Sequence, residues 1–201
     1  VTIEELQMIF GGASNWSEVR ADWPDEPIQL IIPGQDSGTF DYFVEEIFDG
    51  DSTKLIAGAD DELVRASEVI TSENDNQLVG SISRDPLSIG FFGYAYYLEN
   101  TDDLHIVNVE GVEPSAATVE DGTYALARPL FIYSDADIMR DNPQVASFID
   151  YYLTHVNDVI VEVGYFEASA DTLDEARQTW LTALGETDMP EIDPSTVACS
   201  R

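Results

Sequence analysis

The stretch Ile28-Gln-Leu-Ile-Ile-Pro-Gly-Gln-Asp-Ser-Gly-Thr-Phe-Asp-Tyr-Phe-Val-Glu-Glu-Ile-Phe48 decides the fold of this chain. Its first part, residues 28–32, is a short apolar run typical of a buried strand. After a turn of small residues, apolar side chains recur at helical spacing at Phe40, Phe43, Val44, Ile47 and Phe48. The stretch therefore predicts a strand, a turn and a helix. Free backbone N–H groups and the positive end of the helix dipole would meet at the turn, where they favour an anion.

The turn itself, residues 34–39, offers two hydroxyls, several backbone N–H groups and one carboxylate. It lacks the Gly-Lys-Ser/Thr of a Walker loop. It also lacks the Gly-x-Ser-x-Gly of a nucleophile elbow. Two interpretations stay open at this level: an anion site, or a plain connection in which Ser37 caps the helix.

The charge balance excludes several classes of partner. The 201 residues include 40 acidic and 8 basic side chains, a formal net charge of −32, and Lys54 is the single lysine. Nucleic acid and anionic membranes are excluded as partners, because their binding needs a basic patch. The acidic residues are spread along the chain, which favours a halophilic protein whose self-repulsion is screened by salt. An ordinary acidic secreted protein is the alternative.

Other chemistry finds little support in the sequence. Cys199 is the single cysteine, so no disulfide is expected, and no metal-ligand spacing occurs. His105 and His155 fall in a predicted strand and a predicted helix, where a structural or surface role is the expectation. The chain is therefore predicted not to be an enzyme and to use no metal or cofactor, and a phosphoester hydrolase is the least favoured hypothesis.

Strands and helices alternate along the first half, which predicts an α/β fold with a largely parallel or mixed sheet. A capping box at Thr2–Glu5 predicts the first helix, and Asn142-Pro143 predicts the start of the longest one. The remaining predicted elements are a weak helix at 62–70, a helix capped by Asn76, strands at 88–93, 104–109 and 129–133, a helical turn at 94–98, and a last helix opened by a capping box at Thr172–Glu175 and ended by Gly185.

Four motifs occur in a fixed order along the chain. One of them, Pro33-Gly-Gln-Asp-Ser-Gly-Thr-Phe-Asp-Tyr-Phe43, resembles the phosphate loop of the periplasmic phosphate-binding proteins of ABC transporters, and three further motifs resemble segments of the same family in the same order. The other three are the segment Thr2-Ile-Glu-Glu-Leu…Ile9-Phe-Gly…Trp16, the segment Ser88-Ile-Gly-Phe-Phe-Gly-Tyr-Ala-Tyr-Tyr97, and the segment Asp121-Gly-Thr-Tyr-Ala-Leu-Ala-Arg-Pro-Leu-Phe-Ile-Tyr133.

The resemblance implies a type II periplasmic-binding-protein-like fold, with a mixed sheet flanked by helices and two lobes that close on phosphate. Carried over by position, the phosphate-binding residues are Ser37, Gly38 and Thr39, with Asp36 as the motif aspartate. Many members have an arginine where this chain has Pro33. Arg65, upstream of Ser72-Glu-Asn-Asp-Asn76, is the expected cationic ligand instead, while Arg84 and Arg128 also fall near predicted connections.

The resemblance also implies an organisation into lobes and a biological role. We expect residues 1–122 to form the second lobe, 123–185 to be the returning segment of an incomplete first lobe, and 186–201 to be a tail. The amino-terminal part of the first lobe is expected to be missing. The implied function is phosphate capture outside the cytoplasm, in the periplasm or at the cell surface, for the membrane permease of an ABC importer. A non-transport extracellular sensor or interaction module on the same fold is the alternative.

Overall fold

The computed structural model describes residues 1–55 and 69–185, which fall into two units. The first unit contains Val1–Arg128 with Val163–Tyr165, and the second contains Pro129–Glu162 with the chain from Phe166 onward. The predicted division into lobes at residue 122 stays a prediction. The predicted tail at 186–201, with Cys199, lies outside the described residues.

The described residues of the first unit form a three-stranded sheet in the order β2-β1-β3. Strand β1 (Gln29–Pro33) lies between β2 (Val69–Ser72) and β3 (Ser88–Gly90), and both neighbours run parallel to it. A parallel central strand is covered on both faces, which explains why four of its five residues are buried. The strand predicted at 28–32 is thus confirmed, and it begins and ends one residue later than predicted.

Helices cover this sheet and complete an α/β unit, as predicted. They are α1 (Ile3–Gly11), α2 (Trp16–Val19), α3 (Gly38–Phe48), α4 (Asp75–Ile82), α5 (Tyr94–Leu98) and α6 (Ala116–Glu120), with a 3-10 turn at Ser52–Lys54.

The core of the first unit comes from the two amphipathic helices that the sequence predicts. The capping box between Thr2 and Glu5 is present at the start of α1. All five apolar positions of α3 are buried, and they join one cluster with α1 and β1: Leu6, Ile9, Phe10, Ile28, Leu30, Ile32, Phe40, Phe43, Val44, Ile47, Phe48, Leu55 and Val109. The ring of Phe43 stacks on that of Phe91, with centroids 3.9 Å apart.

Three predicted elements around the sheet are shifted or wrong. The weak helix at 62–70 lies largely outside the described residues, and its last two positions belong to strand β2 instead. Asn74, not Asn76, caps α4, because its side chain accepts the Asn76 N–H. The strand predicted at 104–109 does not form, and only Val109 makes an isolated bridge to Val112.

The strand predicted at Pro129–Tyr133 is also wrong. These residues form no strand, and Leu130, Phe131 and Tyr133 are 64%, 68% and 90% exposed. A strand needs a neighbour to accept its backbone hydrogen bonds, and none of the described strands pairs with this run. Residues 129–133 therefore do not form the strand that their β-propensity favours.

The described residues of the second unit form three helices, α7 (Ala136–Asp141), α8 (Pro143–Val159) and α9 (Ala170–Leu184). As predicted, α8 begins with a proline at its first position and α9 ends at Gly185. The predicted box at Thr172 is wrong, because Ser169 caps α9 and accepts the Thr172 N–H. The small core of this unit is formed by Met139, Ile149, Leu153, Trp180 and Leu181.

Candidate functional site

The turn between β1 and α3 is closed by its own serine. Ser37 is the N-cap of α3, with φ −82° and ψ 126°, and its Oγ accepts the Thr39 N–H at 3.2 Å. The Ser37 N–H donates to the Gly34 carbonyl at 3.1 Å, which folds the turn onto the end of the strand. The cap predicted as the structural alternative is therefore present. It does not exclude ligand binding, since the cap uses only some of the donors.

Two N–H groups of the turn receive no acceptor from the helix. The first internal bond of α3 runs from the Asp41 N–H to the Ser37 carbonyl at 3.2 Å. The N–H groups of Gly38 and Phe40 precede that bond, so the helix cannot satisfy them. They lie at the positive end of an 11-residue helix, beside the half-buried hydroxyls of Ser37 and Thr39. This arrangement can bind an anion through neutral donors and the helix dipole.

Arg128 lies directly against the start of α3. Its guanidinium donates from Nη2 to the Gly38 carbonyl at 3.1 Å, and it stacks over the Tyr42 ring at 4.9 Å from the centroid. The Tyr42 hydroxyl donates to the Ala127 carbonyl at 2.8 Å, which ties the segment before Arg128 to α3. Burial, together with the nearby Glu46 carboxylate, raises the pKa of Tyr42 to about 12, so this donor keeps its proton at neutral pH.

A carboxylate also contacts the turn. Glu73 follows the last residue of β2, and its Oε1 accepts the Asp36 N–H in a long hydrogen bond of 3.4 Å. The same oxygen lies against the Cα of Gly34, where an added Cβ would come within 1.7 Å of it. One guanidinium and one carboxylate therefore contact the turn and the start of α3.

Comparison with known proteins assigns this fold. Residues 1–155 match the family described as the PBP superfamily domain. The chain belongs to the PBP superfamily.

Two relatives are similar to most of this chain, and one of them is named as a phosphate-binding protein. The chain is 40% identical over 175 residues to Protein SphX from Synechocystis sp., covering 82% of this chain and 49% of SphX. It is 32% identical over 175 residues to the phosphate-binding protein PstS of Staphylococcus aureus, covering 84% of this chain and 49% of PstS. The chain thus spans about half the length of both relatives.

A solved structure shows the same superfamily fold. The crystal structure of "a possible phosphate binding protein" from Planctomyces limnophilus aligns with a TM-score of 0.71 at 36% identity, over 92% of this chain and 64% of that one. This match confirms the fold class predicted from the sequence, a PBP-like α/β fold. It also confirms the predicted resemblance to phosphate-binding proteins.

The superfamily fold brings some predicted site residues together. Ser37, Gly38 and Thr39 lie side by side at the start of α3, and Asp36 is exposed in the turn before them. Arg65 lies outside the described residues, so its role as the cationic ligand stays a prediction. The sequence had not assigned Arg128 or Glu73 to the site. Arg128 is 90 residues from Gly38, and no local pattern reveals such a contact.

The remaining candidates do not form a second site in the described part of the chain. His155 lies on the surface of α8, where its Nδ1 is 2.9 Å from Oδ2 of Asp158 one turn later. Within residues 1–55 and 69–185, no three His, Cys, Asp or Glu side chains are grouped as metal ligands. In the same residues, no helix is long and apolar enough to cross a lipid bilayer.

Proposed function

We propose that this chain binds inorganic phosphate at the start of α3, with Ser37, Gly38 and Thr39 as donors. The observation that carries the proposal is the set of donors that the helix leaves unsatisfied at its N-terminus, in a chain of the PBP superfamily. Relatives named phosphate-binding protein support phosphate as the anion. Backbone N–H groups and hydroxyls would surround the ligand, as expected for a helix N-terminus.

Arg128 supplies the positive charge of the proposed site. It is held within hydrogen-bonding distance of Gly38 and stacked on Tyr42, so little side-chain freedom is left to lose on binding. Charge-assisted bonds to phosphate oxygens are about twice as strong as neutral ones. One fixed guanidinium and several neutral donors can thus hold an anion in a protein whose net charge is −32. Asp36 and Arg65 remain further proposed contacts, by position in the motif.

In the whole protein, we propose that the chain serves an ABC importer. Residues 1–122 would be the second lobe, and 123–185 the returning segment of a first lobe. Such a protein works outside the cytoplasm, in the periplasm or at the cell surface, and delivers phosphate to a membrane permease without catalysing a reaction. Its dispersed carboxylates fit a high-salt environment, where screening weakens their mutual repulsion.

Titration of the isotope-labelled chain with inorganic phosphate, followed by amide NMR, tests the site. We expect the Gly38 and Phe40 amides to shift, since the helix leaves these two N–H groups without an acceptor beside the Ser37 and Thr39 hydroxyls. In Ser37→Ala/Thr39→Ala the phosphate affinity should fall by about tenfold or more, because two hydroxyl donors are lost. Constant ionic strength removes general salt effects.

Helix α9 offers a matched control. Its cap Ser169 and the nearby Thr172 are also a serine and a threonine at a helix start, with hydroxyls 2.8 Å apart. Ser169→Ala/Thr172→Ala should leave the phosphate affinity unchanged. Equal losses in both double variants, or phosphate-induced shifts away from α3, would contradict the proposed site.

A further inference from the structure

Two hydrogen bonds fix the backbone around Glu73 beside the turn of residues 34–39, which we call the anion turn. On its amino-terminal side, the Gly34 N–H donates to the Ser72 carbonyl at 3.2 Å and extends the register of β1 with β2. On its carboxyl-terminal side, the Asn74 N–H donates to Ser72 Oγ at 3.0 Å, just before α4 begins. The backbone of Glu73 is therefore fixed beside the turn, and its exposed side chain reaches back over it.

The glycine at position 34 is explained by this carboxylate. Gly34 does not belong to the glycines with positive φ, so its backbone conformation does not require glycine. An added Cβ would lie 1.7 Å from Oε1 and 2.4 Å from Cδ of Glu73. Glycine at this position thus makes room for the carboxylate to lie flat against the turn.

The carboxylate takes a donor that an anion would also use. Its Oε1 accepts the Asp36 N–H, and Asp36 immediately precedes the cap Ser37. A phosphate oxygen at the same N–H would also meet the negative charge of Glu73. At about 4 Å in water-like surroundings, two like unit charges repel by roughly the free energy of a fivefold change in affinity.

We propose that the Glu73 carboxylate competes with phosphate for the Asp36 N–H at the anion turn. Phosphate must therefore displace this carboxylate when it binds. The inference rests on the proposed function of the turn and adds a residue that sets its affinity. Glu73 weakens binding, so the turn is occupied only when phosphate is abundant enough to exchange with the side chain.

Two substitutions separate the charge of Glu73 from its position. Glu73→Gln removes the charge and keeps an oxygen that can accept the Asp36 N–H. Gly34→Ala keeps the charge and pushes the carboxylate away, and this side chain can swing outward because only its flexible end is in the way. Glu120→Gln is the control, because it removes one exposed carboxylate from the last residue of α6.

The test is the amide NMR titration with inorganic phosphate, applied to the wild-type chain and the three variants. We expect Glu73→Gln to lower the phosphate Kd about fivefold and Gly34→Ala to lower it about twofold, while Glu120→Gln leaves it unchanged. The Asp36 amide should also shift when phosphate is added to the wild-type chain, because its acceptor changes. Spectra without phosphate show that each variant is folded.

The outcomes distinguish this inference from the proposed function. If neither the wild-type chain nor any variant binds phosphate, the function of the turn is wrong and the inference falls with it. If the wild-type chain binds and Glu73→Gln binds equally or more weakly, phosphate binding stands and competition by Glu73 is overturned. An equal gain in Glu73→Gln and Glu120→Gln would also overturn it, because net charge alone would then explain the change.

Discussion

Two five-residue runs of this protein, each containing leucine, isoleucine and proline, differ in structure, because one forms a strand and the other does not. Gln29–Pro33 is the central strand of the first unit, and its residues Leu30, Ile31 and Ile32 are at most 2% exposed. Pro129–Tyr133 forms no strand, and even its least exposed large apolar residue, Ile132, is 45% exposed.

The difference lies in the neighbours of each run. Strand β1 is bonded to β2 on one edge and β3 on the other, and the apolar face of α3 joins its core cluster. None of the strands formed by the described residues pairs with 129–133. A run of β-branched and aromatic residues thus becomes a strand only where partners accept its backbone hydrogen bonds and cover its side chains.

The largest expected effect is on the free energy of unfolding, when the isoleucine at the fourth position of each run is replaced by alanine. Ile32→Ala should lower the free energy of unfolding of the first unit by about 2–5 kcal/mol, because it leaves a cavity in a close-packed core. Ile132→Ala should change the free energy of unfolding by less than about 0.5 kcal/mol. Urea denaturation followed by tryptophan fluorescence measures both. A similar loss in the two variants would show that 129–133 is buried.

Hydrogen exchange tests the same contrast without substitution. The amides of Leu30–Ile32 should exchange about a thousandfold or more slowly than those of Leu130–Ile132, since only the former lie in a bonded sheet. Mass spectrometry or NMR resolves the two segments. Strong protection of 130–132 in a dilute solution of this chain would contradict the structure.

A smaller effect, on the melting temperature, is expected when two carboxylates that each pair with an arginine are neutralised. These are Glu5 of the first unit and Asp137 of the second. The hydrogen bonds that Arg20 donates to Glu5 lower the pKa of Glu5 from its ordinary value of 4.5 to about 2. A lowered pKa in the folded state adds stability above pH 4.5, and this stability is lost as the pH falls toward 2. Glu5→Gln should therefore lower Tm by about 2–4 °C at pH 7 and by much less at pH 2.

Asp137 provides the counterpart in the second unit. It pairs with Arg140 one turn later on α7, but its side chain is 83% exposed, whereas that of Glu5 is 15% exposed. Exposed pairs of this kind contribute little, so Asp137→Asn should leave Tm unchanged at pH 7. Thermal melts followed by circular dichroism compare the variants. A Tm loss for Glu5→Gln that is the same at both pH values would argue against the pair with Arg20.

The sequence by itself determined the elements whose signals are local. The spacing of Phe40, Phe43, Val44, Ile47 and Phe48 predicted the buried face of α3, and the capping box of Thr2 and Glu5 predicted the start of α1. These signals act over three or four residues, within one or two turns of helix. The same locality placed Ser37, Gly38 and Thr39 together at the anion turn, because consecutive residues remain neighbours in any fold.

Only the tertiary structure decided which distant groups meet at that turn. Arg128 approaches Gly38 across 90 residues, and Glu73 approaches Asp36 across 37. Strand formation depended on tertiary structure in the same way. Residues 29–33 pair with β2 and β3, whereas 129–133 pair with none of the described strands. The physical reason is common to both cases. A hydrogen bond or charge contact between distant segments depends on how the whole chain packs. It cannot be predicted from the sequence near either partner.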